Sequence, residues 1–382
     1  MSFLEYNVAA VPTGARKLLY VNWGLALLLT AAASVGFLML YSVAGGDFSQ
    51  WAEPQMLRFA AGFVAMILVA MVPIWFWRNI SGLVYLISLA LLLYVELRGD
   101  VGMGAQRWMR VGPINVQPSE VTKIALVMLL AAYYDWLDVR KVSHPFWVAV
   151  PLILIALPVA MVLAQPDLGT SLMLIGGGGF IMFAAGVSLW YFGVAIASVA
   201  GVVTAVFASR GTGWQLLRDY QYRRIDTFLD PSNDPLGAGY HITQAKIAMG
   251  SGGWTGRGFM QGTQSRLNFL PEKHTDFIFN TLAEEFGFIG GFSLLVIYGL
   301  ILLFCIVSAL RNRDRFGALV TLGMAGTFFL FLAVNMSMVM GLIPVVGAPL
   351  PLVSNGGTAM IILMLGFGVV QSAHVHRPRT KS

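Results

Sequence analysis

The sequence predicts an all-α polytopic integral membrane protein of about ten transmembrane helices, with one large extracytoplasmic loop between the seventh and eighth. Three observations predict it. Apolar residues make up 57% of the 382-residue chain and charged residues 11%, against roughly 45–50% and about 25% in soluble domains. The charges fall in short stretches between apolar runs near the ~20 residues that a helix needs to cross a bilayer. The alternating ten-residue pattern of a membrane barrel is absent from the sequence.

Taken in order, the apolar runs put spans at 21–44, 57–76, 80–97, 121–136, 146–164, 169–187, 190–209, 277–309, 316–341 and 356–375. Residues 1–20 contain Glu5 and no apolar core of a cleaved signal peptide, so the first span is expected to act as an uncleaved targeting signal. The fourth span has a helix start at Pro118 and Ser119. The eighth is longer than a bilayer requires, so it must tilt, project or begin outside the hydrocarbon. Between spans seven and eight lies 210–276, too long and too polar to be a turn. The chain 1–382 therefore reads as a single transmembrane domain containing one large loop, in which Trp214-Gln215-Leu216-Leu217-Arg218 suggests a short interfacial amphipathic helix.

An even number of spans puts both termini on one side, and Lys/Arg bias says which. A cytoplasmic N-terminus gives the inside segments Arg16, Lys17, Arg78, Arg140, Lys141, Arg311, Arg313, Arg315, Arg377, Arg379 and Lys381. The short outside connections then carry only Arg58, Arg98, Arg107 and Arg110. Both termini are expected in the cytoplasm and 210–276 outside. The net charge of +6 belongs to these helix ends; no nucleic-acid-binding motif accompanies it, so no nucleic-acid partner is expected. The single Cys305 lies within a span and excludes an intrachain disulfide.

Asp276 is the first candidate for a working residue. It stands where Leu270-Pro271-Glu272-Lys273-His274-Thr275 meets an apolar run, and a crowded carboxylate at a membrane boundary is costly unless chemistry or ion handling needs it. On the same outer side lie Glu120 and Lys123, three apart on one helix face. Asp167 follows Gln165-Pro166, and Ser354 precedes the tenth span. Each has a bland reading. Glu120 with Lys123 suits a structural ion pair, Asp167 a helix cap, and Gly176 to Gly179 a close helix-packing surface rather than a phosphate cradle. His241 and His274 lack partners at metal-ligand spacing, so no structural metal site is expected. The bland readings leave the convergence on one face unexplained.

The run from Gly258 through Gln261-Gly262-Thr263-Gln264-Ser265-Arg266-Leu267-Asn268-Phe269-Leu270-Pro271-Glu272-Lys273-His274-Thr275-Asp276 to Phe279 resembles the signature of the SEDS (shape, elongation, division and sporulation) family. Gly104-Ala105-Gln106-Arg107-Trp108, Gln117-Pro118-Ser119-Glu120 with Lys123, and Gln165-Pro166-Asp167-Leu168-Gly169-Thr170 agree with it. Two positions depart: Asn355 stands where the family usually has Tyr, and Met103 where Lys often precedes Gly104. The variant of the long motif resembles the cell-elongation branch more than the division branch. The resemblance implies a peptidoglycan glycosyltransferase in the bacterial cytoplasmic membrane that polymerises lipid II on the outer face. It also implies a class B penicillin-binding protein and other elongation-complex membrane proteins as partners.

Such a displacement wants a carboxylate base for the attacking hydroxyl, and Asp276 takes that role. The leaving diphosphate wants Arg or Lys donors, or a divalent cation such as Mg or Mn. Arg107, Arg110, Lys123, Arg210 and Lys273 are on the right side to supply the former, with Glu120, Asp167 and Ser354 in support. The rival reading is a lipid II flippase. Glu284 and Glu285 favour it, because they lie about 12–14 Å along the eighth helix from Asp276 at ~1.5 Å per residue, where ionisable groups often mark a pathway. A non-catalytic scaffold would leave Asp276 without a purpose.

Overall fold

The computed structural model describes residues 13–102, 105–112, 114–216, 218–230, 238–266 and 272–378. Gly104 and Met103, Leu217, Ser232, and Leu267 to Pro271 of the long motif lie outside these. Each expected span is occupied by a helix: α1 (Trp23–Val43), α2 (Ala52–Met71), α3 (Ile74–Arg98), α4 (Pro118–Trp136), α5 (Pro145–Ala164), α6 (Leu168–Ala184) and α7 (Leu189–Ser209) precede the large loop. The loop holds α8 (Asp219–Leu229), α9 (Ala238–Ser251) and α10 (Thr263–Arg266), and α11 (Ile278–Leu310), α12 (Arg315–Val339) and α13 (Thr358–Val375) follow it. Eight of these are long and apolar enough to cross a membrane by length and composition alone. The other two expected spans are α4, which carries Glu120, Lys123 and Asp135, and α6, which has 17 residues.

Two boundaries differ from the sequence reading for a physical reason. The apolar run continues through Val72-Pro73-Ile74, so hydropathy alone puts the second span's end at 76. Pro73 cannot continue a helix, and it caps α3 instead, which starts at Ile74. A larger difference lies between α3 and α4. The segment expected as a loop forms a three-stranded antiparallel sheet of β1 (Asp100–Gly102), β2 (Ala105–Val111) and β3 (Ile114–Val116). Arg110 pairs with Asn115 and Met109 with Val116 across its second hairpin. The strands are too short to carry an apolar alternation readable against the adjoining spans. In the large loop the expected helix at Trp214–Arg218 is not formed: Trp214 and Leu216 lie in a turn and bend, and the helix begins at Asp219.

Packing closes the bundle along α2–α13, α6–α12, α3–α4 and α1–α11. Gly176, Gly177 and Gly178 of α6 lie directly against Leu330, Thr327 and Ile155 of its neighbours, the close-packing reading of that run. Asn22 accepts from Gln371 through its carbonyl and donates its backbone N–H to the Gln371 side chain at 2.9 Å. The start of α1 and the end of α13 therefore share one end of the bundle.

The unusual length of α11 has a local cause. Gly287, at φ 65°, breaks the helix into two pieces. The backbone groups freed by the break are taken up by the turn after α9. Arg257 and Gly258 donate to the Glu284 and Glu285 carbonyls at 3.0 Å, while Phe288 and Ile289 donate to Gly253 and Trp254 at 2.9 and 3.1 Å. Such pairing is obligatory for buried backbone. The large loop is thereby locked to the helix that follows Asp276.

Candidate active site

Asp276 sits in the last turn before α11, and that turn is held from three directions. Asn335, the one amide side chain of α12 and fully buried, donates to the Asp276 carbonyl at 3.0 Å and to the Ala348 carbonyl at 2.7 Å. Ser354 donates to the Thr275 carbonyl at 2.5 Å and accepts from Leu350 N–H at 2.8 Å. Asn355 N–H reaches the His274 carbonyl at 2.9 Å, and the His274 ring stacks on Trp51 with centroids 4.5 Å apart. Gln55 of α2 holds the Ser354 carbonyl at 2.8 Å, and Arg58 holds the Asn355 side chain at 3.0 Å. The segment between α12 and α13 is thus stitched to the Asp276 turn and to α2.

The carboxyl group of Asp276 faces a cleft of about 280 Å³. Burial, with the nearby Glu272 carboxylate second, raises its pKa to about 6. The same cleft is lined by Arg107, Glu120, Lys123 and Asp167, brought from β2, α4 and the start of α6. Gly347 lies so close that a Cβ there would stand 3.7 Å from Asp276 Oδ2.

The supporting residues divide by how they are engaged. Lys123, buried, pairs with Glu120 at 2.7 Å and lies 4.1 Å from the centroid of the Phe331 ring. Arg107 donates to the Gln165 carbonyl at 3.0 Å and to the Pro166 carbonyl, and stands 3.7 Å from Asp167. Asp167 caps α6 through Thr170 N–H and hydroxyl, both at 3.0 Å, so its bland reading and its place in the cleft are both realised.

Four of the expected residues do not line this cleft. Arg110 is exposed on β2. Arg210 caps α7 and makes a two-pronged ion pair with Asp226 at 2.8 and 2.6 Å. Lys273 is partly buried, which lowers its pKa. Ser354 lines an adjoining apolar cavity between α4, α12 and α13 that shares Glu120 and Lys123 with the cleft.

Glu284 and Glu285 are buried at the α11 break rather than along a channel. Glu284 accepts from the Thr263 hydroxyl and Gln264 N–H at 3.0 Å, and Glu285 from the Ser42 hydroxyl at 2.5 Å. Among the described residues no group of three or more His, Cys, Asp or Glu side chains is arranged to hold a metal ion.

The fold and this cleft can be set beside known proteins. The FtsW/RodA/SpoVE cell-cycle protein family model matches residues 22–379. The chain belongs to this family. It is 42% identical over 353 residues to the peptidoglycan glycosyltransferase MrdB of Escherichia coli strain K12, covering 92% of both chains. Among solved structures it resembles a peptidoglycan synthase complex that coordinates polymerization and crosslinking, with TM-score 0.80 and 29% identity over 93% of this chain and 97% of that one. The crystal structure of the rod-shape-determining protein RodA of Thermus thermophilus matches with TM-score 0.70 and 27% identity, over 94% and 97%. Like other chains of the FtsW/RodA/SpoVE family, this one is a multi-pass membrane protein.

Sequence reasoning missed Asn335, although a lone amide within an apolar span was a visible signal. It also missed the Gly287 break, which nothing distinguishes from the packing glycines around it.

Proposed function

We propose that the chain is a peptidoglycan glycosyltransferase that polymerises lipid II during cell elongation, with Asp276 as general base. The observation that carries the reading is Asp276 itself, partly buried with its pKa raised to about 6, in a cleft that also holds Arg107 and Lys123. A base near neutral pH combines ionisation with proton affinity better than an ordinary carboxylate does. The 4-hydroxyl of one disaccharide unit attacks the anomeric carbon of MurNAc in another. Its proton passes to Asp276 as the C–O bond forms, and the bond to undecaprenyl diphosphate breaks with inversion from α to β-1,4. Lys123 and Arg107 face the charge that develops on the leaving diphosphate. Glu120 and Asp167 orient those cations, and the Lys/Arg bias supports a cleft on the outer face of the bacterial cytoplasmic membrane with both termini inside.

Elongation rather than division is supported by the likeness to MrdB and to a rod-shape-determining protein. Transport has less support, because the Glu284 side chain is engaged in holding the loop and that of Glu285 in holding Ser42 of α1. The chain carries no Ser-x-x-Lys motif with which to cross-link glycans, so a class B penicillin-binding protein supplies the transpeptidase. The resemblance to a synthase complex is in keeping with that partnership.

The test is reconstitution of the purified chain with lipid II, with and without the cognate class B penicillin-binding protein, beside Asp276→Asn. Glycan strands from the parent and a ~10²–10⁴-fold loss in a folded, substrate-binding variant are expected. Translocation of lipid II without polymer would instead favour the flippase. Near-parental polymerisation by Asp276→Asn would move the base to Glu120 or Asp167.

A further inference from the structure

Asn355 precedes the Gly356-Gly357 pair and is anchored through both its backbone and its side chain. Its N–H donates to the His274 carbonyl at 2.9 Å, and its Oδ1 accepts from Arg58 Nη1 of α2 at 3.0 Å. A guanidinium has donors and no acceptor, so Arg58 decides which way the Asn355 amide is turned. Oδ1 faces α2, which leaves Nδ2 as the donor. Asn355 lines the cleft that holds Asp276. Other neutral donors there are committed to carboxylates: Gln117 and Thr170 donate to Asp167, and Thr275 donates to Glu272.

The wall beside this amide has room. Gly356 and Gly357 line the same cleft, and a Cβ on Gly357 would meet no atom within 4 Å. Gly357 stands at φ 52°, so the chain presents bare backbone there, the form in which a protein lets a ligand come close. What such a wall receives follows from the donors around it. Arg107 and Lys123 are the stronger partners for phosphate oxygens. A sugar hydroxyl both donates and accepts, so it can turn to either kind of partner. An amide carbonyl only accepts, and it matches a neutral group held as a donor.

We infer that Asn355 is a specificity residue, its Nδ2 donating to the carbonyl oxygen of a 2-acetamido group on the disaccharide, with the acetyl methyl against Gly356 and Gly357. The inference rests on reading the cleft as a lipid II site. A substrate without the acetamido group would leave the oriented amide unpaired, which is how a hydrogen-bonding site rejects an analogue that lacks its partner. Asn355 stands where the family usually has Tyr, so this contact belongs to the present chain.

The experiment measures equilibrium binding to the full chain in detergent. One probe is lipid II with its 4-hydroxyl methylated, which can bind but cannot be extended; the other is the same molecule with 2-hydroxyls in place of both acetamido groups. The parent is expected to prefer the acetamido probe about tenfold, the scale of one neutral hydrogen bond. Asn355→Asp keeps an oxygen for Arg58 but has no amide donor, so the preference should disappear. The charge it adds acts on both probes and cancels from their ratio. Asn355→Leu adds no charge and should give the same result, and either variant carries the test if the other does not accumulate. A tenfold preference that survives in the variants would overturn the inference and pass the Asn355 donor to the diphosphate or a hydroxyl. Equal binding of the two probes by the parent would overturn it as well. None of these readings depends on polymer. Loss of the preference in the variants of a chain that translocates lipid II without polymerising it would keep this contact and remove only the glycosyltransferase reading.

Discussion

One side-chain amide of Asn335 reaches both the Asp276 carbonyl at 3.0 Å and the Ala348 carbonyl at 2.7 Å, joining the turn that carries the candidate base to the segment that forms the opposite wall of its cleft. Asn335 is therefore one of the ties that hold these two walls together, beside Ser354 and Asn355. Replacing Asn335 with Ala takes this donor from the buried Ala348 contact and the part-buried Asp276 contact, at a cost of about 1–3 kcal/mol for the buried one if water cannot enter. Asn335→Ala is expected to lower kcat more strongly than it raises KM, because it loosens the base without touching substrate. Equal effects on both parameters in a lipid II polymerisation assay would argue that Asn335 serves folding alone.

The pH dependence follows from Asp276 and Glu272. A base must be ionised to accept a proton, and burial with the Glu272 charge raises the Asp276 pKa to about 6. Activity should therefore rise with pH through about 6 and fall away in acid. Glu272→Gln removes the second cause of the shift, so the rising limb should move to lower pH while the maximum rate is preserved. A limb that stays in place, measured in the same membranes, would detach it from Asp276.

Much of this was legible in the sequence, for reasons that also mark the limits. The ten helices at the expected spans were readable because hydropathy over twenty residues is a strong sum, whereas the end of α2 was not, because Pro73 interrupts a helix without interrupting the apolar run. Asp276, Lys123, Glu120 and Asp167 could be gathered because they lie near helix ends on one side, and Arg107 because it lies in a connection on that side. Arg210 met the same criterion, yet it is spent on Asp226, a pairing between a helix end and a loop helix that no sequence spacing announces. Glu284 and Glu285 looked like pathway residues while their partners, Thr263 and Gln264 for the first and Ser42 of α1 for the second, were unknown.

Gly287 tests how far the loop depends on the broken helix. Its φ of 65° is one that residues with a Cβ adopt rarely. A Cβ there would also come within 2.4 Å of Gly256 N and 2.6 Å of the Trp254 carbonyl carbon. Gly287→Ala should straighten α11 or displace residues 252–258, lowering thermal stability and polymerisation together. Limited proteolysis should then cut more readily near Trp254, whose carbonyl accepts from Ile289 N–H in the parent. Unchanged cleavage and melting would mean that the turn and α11 are held together by other contacts.

Orientation can be read by labelling, since Cys305 is fully buried and gives a low background. A cysteine in place of Ser251, at the end of α9, should react with an impermeant thiol reagent in intact spheroplasts. One in place of Ser143, between α4 and α5, should react only after lysis. Labelling of the Ser143 position alone would put the cleft in the cytoplasm and remove access to an extracytoplasmic substrate.

The Glu120–Lys123 pair separates catalysis from architecture most sharply. Lys123 is buried, joined to Glu120 at 2.7 Å and set against Phe331, and both charges line the cleft that holds Asp276. An ion pair so placed contributes little net stability compared with apolar residues, but removing one partner strands the other at a cost of about 3–5 kcal/mol. Lys123→Ala alone would therefore confound folding with function. Lys123→Met with Glu120→Gln removes both charges and fills the space, so the protein should accumulate in the membrane nearly as the parent does. If Lys123 faces the leaving diphosphate, that double variant should still lose polymerisation by about 10²-fold or more, the scale of removing one preorganised donor from a developing charge. Activity within twofold of the parent in the double variant would leave the pair a purely structural one and pass the phosphate contact to Arg107.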